Sequence, residues 1–211
     1  MPSEPEFFYD VEQGSGEWFE LRRGIPTASE FATILSKPDS KGYLRYKGDL
    51  GGELLSGALA ETYQSAAMLR GKEMEAEAAD YYARLHLRDL QRCGFVRRKL
   101  SSGRYVGCSP DRLFDDTVLE IKTMMPRLMM DLRENGYDPH ALPAEHVAQC
   151  QGALWVTGFP RIELIIYYRG MPYCLHYSVG RDEQYIKMLA AAVEKFDQEL
   201  HARDAKHRGF Q

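Results

Sequence analysis

The sequence predicts an α/β (α+β) fold in which a central mixed β-sheet is flanked by helices and followed by a long C-terminal helix. Three observations predict it. Apolar residues recur at helical spacing at Met74, Ala78, Tyr81 and Leu85, and again at Tyr185, Met188, Leu189, Ala192, Val193 and Phe196. Between these stretches, 95–100, 105–108, 162–169 and 173–179 read as strands. Asp115-Asp116 separates two further strand-like runs as a two-residue hairpin turn does. With 211 residues and 44% hydrophobic content, the chain can bury one sizeable core. Residues 1–211 are therefore expected to form a single domain, with 1–15 a flexible or loosely packed N-terminus.

Taken in order, Gly16 to Arg23 and Thr27 to Leu35 read as two short helices, and the Gly-rich, basic stretch from Pro38 to Gly52 as a mobile loop. A helix from about Met68 to Leu87 follows, with Met74, Ala78, Tyr81 and Leu85 on its buried face. Strands near Phe95 to Leu100 and Tyr105 to Cys108 lead into the hairpin. Next come a helix over His146 to Val156, strands at Ile162 to Arg169 and Tyr173 to Val179, and the terminal helix. The chain contains no internal repeat or low-complexity segment.

No apolar run is long enough to cross a bilayer, and the acidic, Pro-containing start from Met1 to Asp10 does not resemble a signal peptide, so a cytoplasmic protein is expected. Cys93, Cys108, Cys150 and Cys174 lie far apart without a C-x-x-C pair. That pattern favours reduced packing thiols over disulfides or zinc, and argues against an iron–sulfur cluster. The net charge of −4 lacks the basic excess of an ordinary DNA binder. Binding to nucleic acid would then depend on local patches such as Arg22 with Arg23, Lys41 to Lys47, and Arg88 to Lys99.

The chemistry concentrates between Ser109 and Lys122. A two-residue turn at Asp115-Asp116 sets Phe114 opposite Thr117, Leu113 opposite Val118 and Asp111 opposite Glu120. Directly opposed residues have Cβ atoms roughly 5 Å apart. Strand alternation sends Glu120 and Lys122 to one face and Leu119 and Ile121 to the other. Opposed carboxylates repel unless a cation lies between them, and hard oxygen ligands suit Mg²⁺, with Mn²⁺ a possible substitute. Such an ion would polarise a phosphoryl oxygen, while Lys122 neutralises developing charge or orients water. The bland alternative is an exposed hairpin with a solvated polar face. Upstream, Thr27-Ala28-Ser29-Glu30 reads as a capping box, whose free N–H groups and hydroxyls favour an anion, with Arg22 nearby as a bidentate clamp.

Ser109-Pro110-Asp111 followed by Leu119-Glu120-Ile121-Lys122 matches the P-D-(x)n-(D/E)-x-K pattern of restriction-endonuclease-like nucleases. Trp18-Phe19-Glu20-Leu21-Arg22, Thr27-Ala28-Ser29-Glu30, Gly71-Lys72-Glu73-Met74-Glu75 and Ala148-Gln149-Cys150-Gln151-Gly152-Ala153-Leu154-Trp155-Val156-Thr157 resemble, in the same order, the phage lambda exonuclease (YqaJ-like viral recombinase) family. The resemblance implies a restriction-endonuclease-like core and an Mg²⁺-dependent exonuclease. Such an enzyme digests the 5′-phosphorylated strand of duplex DNA ends in the 5′ to 3′ direction, leaving 3′ overhangs for recombination by strand annealing. It assigns Asp111, Glu120 and Glu75 to the metal, with the Ile121 carbonyl as a further candidate ligand. Lys122 and Gln151 act in catalysis, with Gln149 fitting almost as well as Gln151. Arg22 and Ser29, beside Thr27, hold the 5′-phosphate. A ring-shaped homotrimer and a single-strand annealing partner are also implied, and a prophage origin would fit. Two other readings stay open: a structure- or site-specific endonuclease on the same core, and a catalytically inactive DNA-end binding module.

Overall fold

The computed structural model describes residues 3–58 and 66–209. The elements run β1 (Glu6–Phe8), α1 (Gly16–Arg22), a 3₁₀ turn (Ala28–Glu30), α2 (Phe31–Leu35), α3 (Lys41–Ser56), α4 (Ala66–His86), β2 (Phe95–Lys99), β3 (Tyr105–Cys108), β4 (Arg112–Phe114) and β5 (Thr117–Thr123). They continue through α5 (Pro126–Glu134), α6 (Ala144–Thr157), β6 (Arg161–Tyr167), β7 (Leu175–Gly180) and α7 (Glu183–Arg208). The strands form two sheets rather than one: an antiparallel β1-β2-β3 sheet and a mixed β4-β5-β6-β7 sheet in which β5 and β6 run parallel. A parallel pair needs a crossover, and α5 and α6 supply it.

The hairpin forms in the expected register, with Phe114 opposite Thr117, Leu113 opposite Val118 and Arg112 opposite Leu119. Asp115 and Asp116 adopt φ of 41° and 56°, the left-handed pair that a type I′ turn requires and that Asp tolerates. Leu119 and Ile121 then bury against Met74, Ala78, Ala79 and Tyr82 of α4. The opposite face of β5 turns toward α6, where Ala148, Cys150, Ala153 and Leu154 belong to the larger core with Val118, Ile162 and Leu164.

Three expectations are corrected. Residues 1–15 are not a loose terminus throughout, because Glu6–Phe8 pairs with Phe95–Arg97 and supplies the edge strand of the first sheet. The stretch from Pro38 to Gly52 is not a loop. Ser40 accepts the Tyr43 N–H to cap α3, Tyr43, Leu50 and Gly51 are buried, and α3 packs on α7 beside Leu200, so packing outweighs the helix cost of glycine. On α4 the buried stripe is Met74, Ala78, Ala79 and Tyr82, while Tyr81 and Leu85 are exposed. A further helix, α5, lies in a stretch to which the sequence reading assigns no element; Pro126 opens it and only Met129 is buried.

One close approach sets the position of the segment carrying Thr27 and Ser29. A Cβ on Gly152 of α6 would lie 2.3 Å from the Phe31 ring and 3.5 Å from Ala28, and Phe31 is fully buried. Gly152→Ala is therefore expected to cost about 1–3 kcal/mol through overpacking, read as a fall in Tm by calorimetry. An unchanged Tm would show that the 3₁₀ turn is not held against α6 in this way.

Candidate active site

Asp111 lies just before β4, and the hairpin brings its carboxylate back onto β5, where Oδ2 accepts the Ile121 N–H at 2.6 Å. Glu120 is buried at 4% exposure; its Oε1 accepts both the Lys122 ammonium at 2.8 Å and the Gln149 amide at 2.6 Å. The three residues of the motif thus converge, as the strand alternation requires.

The electrostatics are those of a crowded anionic site. Burial, then Glu120 and Glu75, push the Asp111 carboxyl well above its ordinary range, against the pull of Lys122 and the Ile121 N–H. Lys122 shows the converse: burial works to lower it, but Glu120 and Asp111 outweigh burial and hold the ammonium above its usual value. A carboxyl raised by folding contributes its stability below the unfolded pKa and loses it as pH rises through the folded value. Near neutral pH, ionised Asp111 is thus a cost that a bound cation would offset.

Each acid keeps one oxygen in reserve. Among the described residues, Asp111 Oδ1 and Glu120 Oε2 have no hydrogen-bond partner, whereas the other oxygen of each is fixed. Two carboxylates with water and phosphate oxygens are a common donor set for Mg²⁺, and this pair fits it. The expected third acid does not join them. Glu75 Oε1 is held by Arg112 at 3.1 Å, and no group of three His, Cys, Asp or Glu side chains among the described residues is placed to hold a metal. Glu75 stays within electrostatic reach of Asp111, but a neighbouring guanidinium, which the motif pattern did not reveal, has claimed it.

Opposite the acids stands the amino-terminal segment. Thr27 bridges Gly107 of β3, whose N–H bonds the Pro26 carbonyl at 3.0 Å, and the Tyr46 hydroxyl accepts the Thr27 N–H at 3.1 Å. The expected capping box does not form. Thr27 makes no capping hydrogen bond, the helix start is a 3₁₀ turn, and Glu30 instead accepts from Thr33. The Thr27 hydroxyl is left to meet Ser29 at 3.3 Å and Arg22 at 3.4 Å. The Arg22 guanidinium lies 4.1 Å over the Trp18 ring, and the Trp18 indole donates to Ser109 Oγ at 3.1 Å and the Gly94 carbonyl at 2.9 Å. Trp18 therefore ties α1 to the loop that carries Asp111. A cavity of about 230 Å³ is lined by Arg22, Thr27 and Ser29 on one side and by Asp111, Glu120, Lys122 and Gln149 on the other.

Gln149 is the amide at the site, and Gln151 is not. Gln151 donates to the Gly180 carbonyl at 3.0 Å and accepts the Asp182 N–H at 2.9 Å, fastening the β7–α7 junction. Two residues along a helix rotate a side chain by more than half a turn, so the two amides could not share one cavity. Trp155 packs on Phe31, a core role. Of the basic patches, Arg23 pairs with Glu20, Lys47 with Glu199, Arg88 with Asp115 and Arg97 with Glu6, leaving Arg22 as the cation of the cavity's far wall. The sequence pattern around Trp18 gives no sign of this role, and Gln13, which donates to the Cys93 and Pro110 carbonyls, has no sequence signal.

A buried Asp/Glu pair with an adjacent lysine on a mixed sheet, facing an arginine and two hydroxyls across one cavity, places the protein in the nuclease class. The chain belongs to the YqaJ-like viral recombinase domain family, whose sequence profile matches residues 17–160, a family of DNA nucleases. Its fold is similar to that of an alkaline exonuclease from Laribacter hongkongensis, with 24% identity and a TM-score of 0.79 over 92% of this chain and 96% of that one. The same exonuclease in complex with dAMP matches with a TM-score of 0.80 over the same shares. A phage-related exonuclease from Haemophilus somnus 129PT matches at 14% identity and a TM-score of 0.54, over 85% of this chain and 96% of that one. Comparison with curated protein sequences gives no match. Among the described residues, no helix is long and apolar enough to cross a membrane.

Two outcomes follow from this geometry. Asp111→Asn keeps an oxygen for the Ile121 N–H and removes the repelling charge, so in metal-free buffer at neutral pH its Tm should rise by a few degrees, the scale of about 1 kcal/mol in a chain this size; a lower Tm would contradict the repulsion. Gln149→Ala should lower kcat roughly 10- to 100-fold with Tm retained, whereas Gln151→Ala should keep kcat and lose about 1–3 kcal/mol of stability. The reverse pattern would exchange the two roles.

Proposed function

We propose that this protein is an Mg²⁺-dependent exonuclease that holds the 5′-phosphorylated strand of a duplex DNA end and digests it in the 5′ to 3′ direction, leaving 3′ single-stranded overhangs for recombination by annealing. One observation carries the reading: Arg22, Thr27 and Ser29 share a single small cavity with Asp111, Glu120 and Lys122. An anchor for a terminal phosphate set one short step from the cleaving groups fixes both the end that is used and the direction of travel. The Laribacter exonuclease forms a complex with dAMP, a nucleotide of the kind that such cleavage would release.

In this reading Arg22 clamps the terminal phosphate, with its guanidinium oriented by the Trp18 ring, and the Thr27 and Ser29 hydroxyls donate to the remaining oxygens. Asp111 Oδ1 and Glu120 Oε2 would hold Mg²⁺, which supplies a Lewis acid at the scissile phosphate and an acidified water. Lys122 stabilises the negative charge that develops on the phosphoryl oxygens, and Gln149 keeps Glu120 in place. The expected homotrimeric ring and the annealing partner belong to the same proposal; sedimentation of a monomer at micromolar concentration would remove the ring.

The test compares linear duplexes carrying a 5′-phosphate or a 5′-hydroxyl, alongside covalently closed circular DNA, each with Mg²⁺. The phosphorylated end should be digested at least about tenfold faster, and the circle should stay intact. Arg22→Ala should abolish the preference, and Lys122→Ala should lower kcat by at least roughly 100-fold. Cutting of the circle would favour an endonuclease. End binding without cleavage would favour an inactive end-binding module.

A further inference from the structure

A second cavity, of about 620 Å³, lies against the first, and the two share Gln13 and Asp111. Its walls include Tyr9, Glu75, Arg92 and Arg112. Arg92 sits on a segment tied at both ends: Gln91 exchanges two 2.8 Å backbone hydrogen bonds with Leu113, and the Gly94 N–H donates to the Phe8 carbonyl at 2.9 Å. Arg92 makes no ion pair among the described residues and is exposed, so its charge is available. Arg112 holds Glu75, which leaves that wall close to neutral. Tyr9 stacks on Phe7 at 5.6 Å and presents 42% of its surface. Asp10 and Glu12 line the same cavity and are exposed, so a phosphate would be confined to the Arg92–Arg112 side.

From this arrangement we propose that the second cavity is the seat of the nucleotide on the 3′ side of the cut, with Arg92 contacting the phosphate that follows it, on its own 3′ side, and Tyr9 stacking on its base. The inference rests on the nuclease reading above. If the terminal nucleotide fills the first cavity and the scissile phosphate lies at Asp111, the strand has to leave past Asp111. The adjoining space there is more than twice as large as the first and offers the guanidinium and aromatic face that a nucleic-acid strand uses. Gln13, bonded to the Pro110 and Cys93 carbonyls at 2.9 and 3.1 Å, forms the partition beside which the strand crosses.

The test is steady-state digestion of a 5′-phosphorylated duplex with Mg²⁺ by the wild type, Arg92→Glu and Tyr9→Ala, with dAMP as a competitive inhibitor. Both variants should raise KM about tenfold, a loss of stacking or phosphate contact, while kcat and the inhibition constant for dAMP stay unchanged because dAMP fills only the first cavity. Wild-type KM in both variants would overturn the assignment, as would a parallel change in KM and dAMP inhibition, which would place these residues on the first cavity. Should Tyr9→Ala prove unfolded by circular dichroism, Arg92→Glu decides alone, since that exposed side chain carries no ion pair. A wild-type protein that cuts no duplex would defeat the nuclease reading itself and this proposal with it, a result distinct from active variants with unaltered KM.

Discussion

The hydrogen bond from the Ile121 N–H to the Asp111 carboxylate is the contact on which the site depends. It exists because two consecutive aspartates accept left-handed backbone at the hairpin turn, which sets β4 and β5 in a register that returns Asp111 to the strand bearing Glu120. A slip of one residue would exchange the faces of β5, bury Lys122 against α4 and expose Leu119. The apolar packing of Leu119 and Ile121 on α4 therefore guards the chemistry on the opposite face.

That face stores electrostatic stress. Glu120 is almost fully buried, and Asp111 stands beside it with its proton affinity raised by burial and by its neighbours. Lys122 and Gln149 relieve part of the strain by binding one oxygen of Glu120, and the Ile121 N–H relieves part of it at Asp111. The outward oxygens stay unsatisfied. A site arranged in this way gives up folding stability to hold its acids close together.

Assembly of the whole cavity falls to small residues and to one indole. Gly107 allows Phe95 to pack beneath β3 and Gly152 admits the Phe31 ring, so the segment with Thr27 and Ser29 approaches the loop at Ser109. Trp18 bonds that loop and supports Arg22. The net negative charge of the chain is compatible with this, since Arg23, Arg88 and Arg97 of the apparent basic patches are neutralised by local acids, while Arg22 and Arg92 line the cavities.

The sequence by itself determined the hairpin, its register, the pairing of Asp111 with Glu120 and Lys122, and the fold class, because each follows from short-range rules: turn chemistry, strand alternation and helical periodicity. Tertiary structure alone decided which amide meets Glu120, which cation holds Glu75, and that a glycine-rich stretch winds into α3. Gln149 and Gln151 are equivalent until α6 is docked on β5, Arg112 finds Glu75 only when α4 crosses the sheet, and α3 is stable through its contact with α7. These are choices among distant partners, and local sequence carries no information on distance between elements far apart in the chain.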